Sequence, residues 1–157
     1  METGPAKWER KEKITKTISR KTRNNLRRKI KETQASKEGL ETDFICSILC
    51  NQPNFLGVLP QDYISQLKIM SYSVCFVVNL DTSAQPGSHW IAMYITESHL
   101  EIFDSLGFKN TLESQPSFIL KFIEKLCHTH QIFVTPPLQD PSSGLCGFYT
   151  IYFLLFR

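Results

Sequence analysis

The sequence lacks any run approaching the roughly 18 uncharged apolar residues that a membrane-spanning helix needs, so no membrane partner is expected. Charge runs through its first twenty residues, which excludes a recognisable secretory signal. Cysteine is sparse and odd in number, five in all at positions 46, 50, 75, 127 and 146, without the rhythm of a disulfide scaffold. Free thiols in a reducing, intracellular compartment follow as the expectation. The four histidines are also too few, and wrongly spaced, for a structural zinc site. Cys46 and Cys50 lie four apart, and His128 and His130 flank Thr129, but neither pair has a matching second pair, so no metal is expected. No internal repeat is visible.

What is present is a chain of 157 residues, 41% hydrophobic and 11% aromatic, with 11 phenylalanines. That is enough to bury one substantial core. Its net charge of +3 conceals a division. Residues 1–37 hold 13 Lys or Arg against 4 Glu, net +9, whereas the remaining 120 residues hold 5 basic and 11 acidic side chains, net −6. Residues 1–38 therefore read as a basic arm, disordered or helical in part, because Ile14, Ile18, Leu26 and Ile30 offer little to bury. Clustered cations such as Arg20, Lys21, Arg23, Arg27, Arg28 and Lys29 would bind DNA or another polyanion by releasing counterions. A merely solvating extension or a nuclear-targeting signal would have the same composition.

Residues 39–157 read as one α+β domain. Apolar spacing predicts a helix over "LETDFICSILCN", capped by Thr42, and a second short helix at "DYISQLKIM", with the Pro- and Gly-punctuated "QPNFLGVLP" as a loop between them. Runs rich in β-branched and aromatic residues predict strands at 72–80, 89–96 and 99–105, the last two forming an antiparallel hairpin. An amphipathic helix capped by Ser114 or Ser117 precedes a further strand, "QIFVT". A polar loop then leads to Cys146 at the head of the apolar run "CGFYTIYFLLF". The expected architecture is a central, mostly antiparallel sheet packed on this Cys-led buried helix, with flanking helices.

A cysteine at that place is either an inert core residue or a nucleophile. The first turn of a helix favours a thiolate through its unpaired N–H groups. A thiolate nucleophile needs a base, and the base an orienting acid. His89 opens one strand of the hairpin and Asp104 ends the other, so chain reversal brings both to one edge of the sheet. His99 lies at the opposite, turn end. Gln139 can supply a side-chain amide, and Cys146 its own N–H, to a developing oxyanion. Gly144 and Gly147 would let the backbone approach a substrate, and Trp90 would wall a channel. Each also has a structural reading: Asp104 as a turn residue in "DSLGF", Gln139 as plain loop, His89 as a bonded strand residue.

The ordered set "GSHW", "FDS" and "LQDPSSGLCG" resembles the adenovirus protease (adenain) and its relatives in the Ulp clan, including proteases of Maverick/Polinton transposons and related viruses. "FLGVLP" resembles the start of the adenain fold. The adenain branch carries Glu where this chain has Asp104, and the Ulp branch carries Asp. The resemblance implies a thiol endopeptidase that cuts viral or transposon precursor proteins near small or Gly residues. His89, Asp104, Gln139 and Cys146 would be its catalytic set. It further implies a monomer that needs no cofactor for the chemistry, with DNA or a peptide as activator, working in a host nucleus or virion. Two alternatives stand beside it. One is a protease releasing SUMO or another ubiquitin-like protein. The other is an inactive protease fold serving as a nucleic-acid-binding or capsid-associated module.

Overall fold

The computed structural model describes residues 18–36, 38–108 and 115–157. The part of the basic arm before residue 18 and the expected cap at Ser114 lie outside them.

A period-two division of side chains organises the fold. In strand β2 (Val74–Asn79) and strand β3 (Trp90–Ile95), Cys75, Val77, Trp90 and Ala92 enter one apolar cluster, while Val74, Phe76, Val78, Ile91, Met93 and Ile95 enter another. Alternate residues of a strand point to opposite faces, so both faces of this sheet must be covered, and both are. β2 pairs antiparallel with β3, and β3 with β4 (His99–Phe103). The edge strands β1 (Phe55–Pro60) and β5 (Gln131–Val134) pair in parallel with β2 and β4, in the spatial order β1-β2-β3-β4-β5. The central three strands thus follow the expected antiparallel pattern, and both edge pairings are parallel.

On one face lie helix α1 (Arg20–Ser36), helix α2 (Thr42–Leu49) and helix α4 (Cys146–Leu155). On the other lie helix α3 (Ser117–Cys127) and a 3₁₀ turn over Gln61–Gln66. α4 is buried along most of its length, which its nearly uninterrupted apolar sequence requires. Phe153 of α4 stacks on Phe103 of β4 with ring centroids 4.6 Å apart.

Four local expectations are corrected. "FLGVLP" is strand β1, not loop: it lies at the sheet edge, where Gly and Pro are tolerated, and its register shifts between Phe55 and Val58 around Gly57 at φ +124°. "DYISQLKIM" forms only the 3₁₀ turn, because the chain is already extended at Leu67. Thr42 is the first helical residue of α2, after Glu41 at the cap position, and Ser117 begins α3 after Pro116. Neither cap position makes a side-chain bond.

Over residues 20–36 the basic segment is a continuous helix. Ser19 caps it, accepting a hydrogen bond from the Thr22 N–H at 3.1 Å. Leu26 and Thr33 are buried, and Ile30 packs against the same cluster as α4. The cations mostly occupy the other side: Arg20, Lys21, Arg23, Arg27 and Arg28 are exposed, and Lys29 is half-buried beside Phe44. Leu26 is only 2% exposed, so Leu26→Ala should cost about 2–5 kcal/mol in a denaturant melt, against at most about 0.5 for Arg27→Ala. A loss at Leu26 no larger than that at Arg27 would mean that α1 does not pack on the domain in solution.

Candidate active site

β3 and β4 fix the backbone at one end of the sheet. Their register pairs Ala92 with Phe103, so His89, just before β3, and Asp104, just after β4, emerge together. The His89 carbonyl accepts from the Leu80 N–H at 2.9 Å, extending the β2–β3 ladder to the histidine itself. Asp104 is 4% exposed, and its Oδ1 lies 2.7 Å from His89 Nε2. The same oxygen accepts the Leu106 N–H at 2.9 Å, and the Asp104 N–H donates to Thr135 Oγ1 at 3.1 Å. The carboxylate is thus held by its own turn and by the strand beyond it, so it serves both as a turn residue and as the partner of His89.

Cys146 is the first residue of α4 and is 6% exposed, at the wall of a surface cleft of about 730 Å³. The first N–H groups of a helix have no partner within it, so an anion is favoured there. Burial alone would lower the imidazole pKa of His89. Hydrogen bonds to Asp104 and to Cys146, with the attraction of both groups, outweigh that and raise it from 6.5 to about 9. Because Nε2 is engaged by the carboxylate, the nitrogen left for the sulfur is Nδ1.

Gln139 is buried. Its backbone N–H donates to the Ser105 carbonyl at 2.8 Å, and its Oε1 accepts from Ser105 Oγ at 2.6 Å. With the oxygen so occupied, the amide N–H groups are the free end of the side chain. Ser105, itself fully buried, went unselected in the sequence reading. Its position directly after Asp104 was the available signal, since the turn that carries the acid also carries this hydroxyl.

The structure brings His89, Asp104 and Cys146 together, and the Asp104–Ser105 turn ties Gln139 to the same group. Trp90 lines the cleft, with its indole N–H bonded to the Leu40 carbonyl at 2.9 Å. Gly144 has φ +64°, the left-handed conformation that its turn before α4 demands. Gly147 is not among the described residues that line the cleft. It is buried, and a Cβ there would stand 2.9 Å from Leu40 Cβ, so its glycine permits close packing of α4 against residue 40. His99 is elsewhere, bonded to Thr96 Oγ1 and facing Glu101. All five cysteines are free. Cys46 is half-buried, Cys50 and Cys127 are exposed, and Cys75 is buried with its thiol pushed up to about 11. Among the described residues no group of three or more His, Cys, Asp or Glu side chains is placed to hold a metal ion, and no helix is long and apolar enough to cross a membrane.

No family model matches the chain, and no curated protein matches it in sequence. Among solved structures it is similar to the SUMO protease Ulp1 with its catalytic cysteine oxidised to a sulfinic acid. The match has 15% identity and a TM-score of 0.50, over 88% of this chain and 83% of that one. The fold is therefore that of a Ulp1-like cysteine protease.

Removing the acid should expose the balance that sets the histidine. In Asp104→Asn, burial opposes the charge with less to offset it, and the His89 titration followed by NMR should move well below 9. The raised value also stabilises the native state fully below about pH 6.5, a contribution that fades as pH rises toward 9. That slope should flatten in the variant, and an unchanged titration would contradict the assigned cause.

Proposed function

We propose that the protein is a cysteine endopeptidase whose nucleophile is Cys146. The observation that carries this reading is the buried 2.7 Å contact of His89 Nε2 with Asp104, beside a cysteine at a helix N-terminus. With the proton already on His89, Cys146 sits beside Nδ1 as the thiolate of an ion pair, and Asp104 stabilises the imidazolium and fixes the ring. The thiolate attacks the scissile carbonyl. The Cys146 N–H and the Gln139 amide, whose orientation Ser105 sets, receive the oxyanion. His89 then gives the proton to the leaving amine, and water releases the acyl group. The Ulp1-like fold and the ordered motifs around His89, Asp104 and Cys146 support the same reading. A viral or transposon precursor cut near small residues is the proposed substrate class, since the motif set resembles adenain. A ubiquitin-like conjugate would require a broad docking surface beside the cleft.

A second component concerns polyanions. α1 presents Arg20, Arg27, Arg28 and neighbouring cations to solvent while its other side is anchored to the domain, which favours a DNA-bound enzyme over a free tail. Binding should weaken linearly in log affinity against log salt. The slope should shrink when Arg20, Arg27 and Arg28 are replaced by Gln, and an unchanged slope would remove DNA from the account.

Cys146→Ala should abolish peptide cleavage without lowering the melting temperature. Gln139→Ala should reduce kcat by about 10²–10³-fold, and Ser105→Ala by less, with KM nearly constant. Cleavage that survives Cys146→Ala would overturn the assignment. The alkaline limb of kcat/KM should fall near pH 9, where His89 loses the proton that the leaving group needs.

A further inference from the structure

The cleft that ends at Cys146 has its own chemistry. Among the described residues its walls carry Glu41, Asp43 and Asp81, and no Lys, Arg or His side chain. Asp81 is committed to the loop before His89: it accepts from Ser88 Oγ at 2.7 Å and from the Gly87 N–H at 3.1 Å. Glu41 and Asp43 are exposed and form no ion pair among the described residues. Carboxylates alone would be an ordinary solvated surface, and Asp43 also suits the first turn of α2.

Asn79, at the end of β2, supplies the independent observation. It is 7% exposed, yet it lines the cleft. Its Oδ1 accepts the N–H groups of Asp81 at 2.9 Å and Ser88 at 3.2 Å, which fixes the plane and sense of the amide. Nδ2 is then the end without a protein partner among the described residues. The loop passes it as Gly87, at φ +100°, where a Cβ would come within 3.0 Å of Nδ2. Glycine therefore leaves uncovered a donor that almost any other residue would block. An oriented donor on a buried side chain, left open in the same cleft as Cys146, matches the main-chain carbonyl of an extended peptide.

We propose that the cleft binds an extended segment of the substrate, on one side of the scissile bond, that carries Lys or Arg. Its main-chain carbonyl accepts from Asn79 Nδ2, and its cationic side chains face Glu41 and Asp43. This rests on the peptidase reading for its substrate but not for its binding test. Asn79 is a specificity residue, remote from the bond being broken.

The experiment is a positional-scanning peptide library cleaved by the full-length wild type. In parallel, a fixed extended peptide carrying Lys and Arg and its Lys/Arg→Gln counterpart are titrated against full-length Cys146→Ala. Lys or Arg should be selected on one side of the cut, and the neutral counterpart should bind roughly tenfold more weakly. The preference should shrink with added salt and vanish in Glu41→Gln/Asp43→Asn. Asn79→Asp keeps the acceptor that holds the loop and puts a charged acceptor where the donor was, so with the neutral Lys/Arg→Gln counterpart, which gains nothing from the added charge, KM should rise about tenfold with kcat little changed. Efficient cleavage without basic preference overturns the inference and leaves the peptidase reading standing. If nothing is cleaved but Cys146→Ala still prefers the basic peptide through Glu41 and Asp43, the binding inference stands and the peptidase reading falls. Absence of both cleavage and preference overturns the two together.

Discussion

A single apolar cluster sets the positions of His89, Asp104 and Cys146. Trp90 adjoins His89, Phe103 adjoins Asp104, and Cys146 heads α4; Trp90, Phe103 and Cys146 all lie in the core on one face of the sheet. Phe103 is locked against Phe153 of α4, and the Trp90 indole is bonded to Leu40. Each chemical residue is thus one bond of backbone away from, or is itself, a residue that cannot move without opening the core. Close packing tolerates little displacement, so a well-packed helix on a short hairpin holds these three side chains in fixed relation.

The electrostatics depend on that rigidity. Burial opposes a charged imidazole, and only an aligned acceptor within hydrogen-bond distance reverses the balance. Asp104 can be such an acceptor because its own desolvation is offset by the Leu106 N–H at the same oxygen, and because Thr135 holds its backbone. The next residue along, Ser105, orients Gln139. One turn after β4 therefore holds both His89 and Gln139, through two adjacent residues.

Much of this was legible because the sequence repeats its message at several levels. Alternating β-branched and aromatic residues gave β2, β3 and β4 nearly to their ends, and an apolar run with a cysteine at its lip gave α4. His89 at the start of one strand and Asp104 at the end of the next needed only an antiparallel hairpin to meet. The misreadings share one cause, that long-range packing overrides local signals. Gly57 and Pro60 punctuate a loop by composition, yet an edge strand accommodates both. α1 seemed too poor in apolar residues to pack, but Leu26, Ile30 and Thr33, spaced four and three apart, are enough when a preformed domain surface receives them. A buried Thr33 carries no sequence signal, and neither does Gly147, whose role depends on Leu40 more than a hundred residues away.

Leu40 also joins the two halves of the charge distribution. The chain leaves basic α1, passes Gly39, and at Leu40 becomes a wall of the acidic cleft. There its carbonyl receives the Trp90 indole and its side chain fills the space that Gly147 leaves open. The residues bonded or packed to Leu40 are the direct neighbours of His89 and Cys146. Leu40 thus stands where a basic helix gives way to an acidic cleft, a placement that composition alone does not reveal.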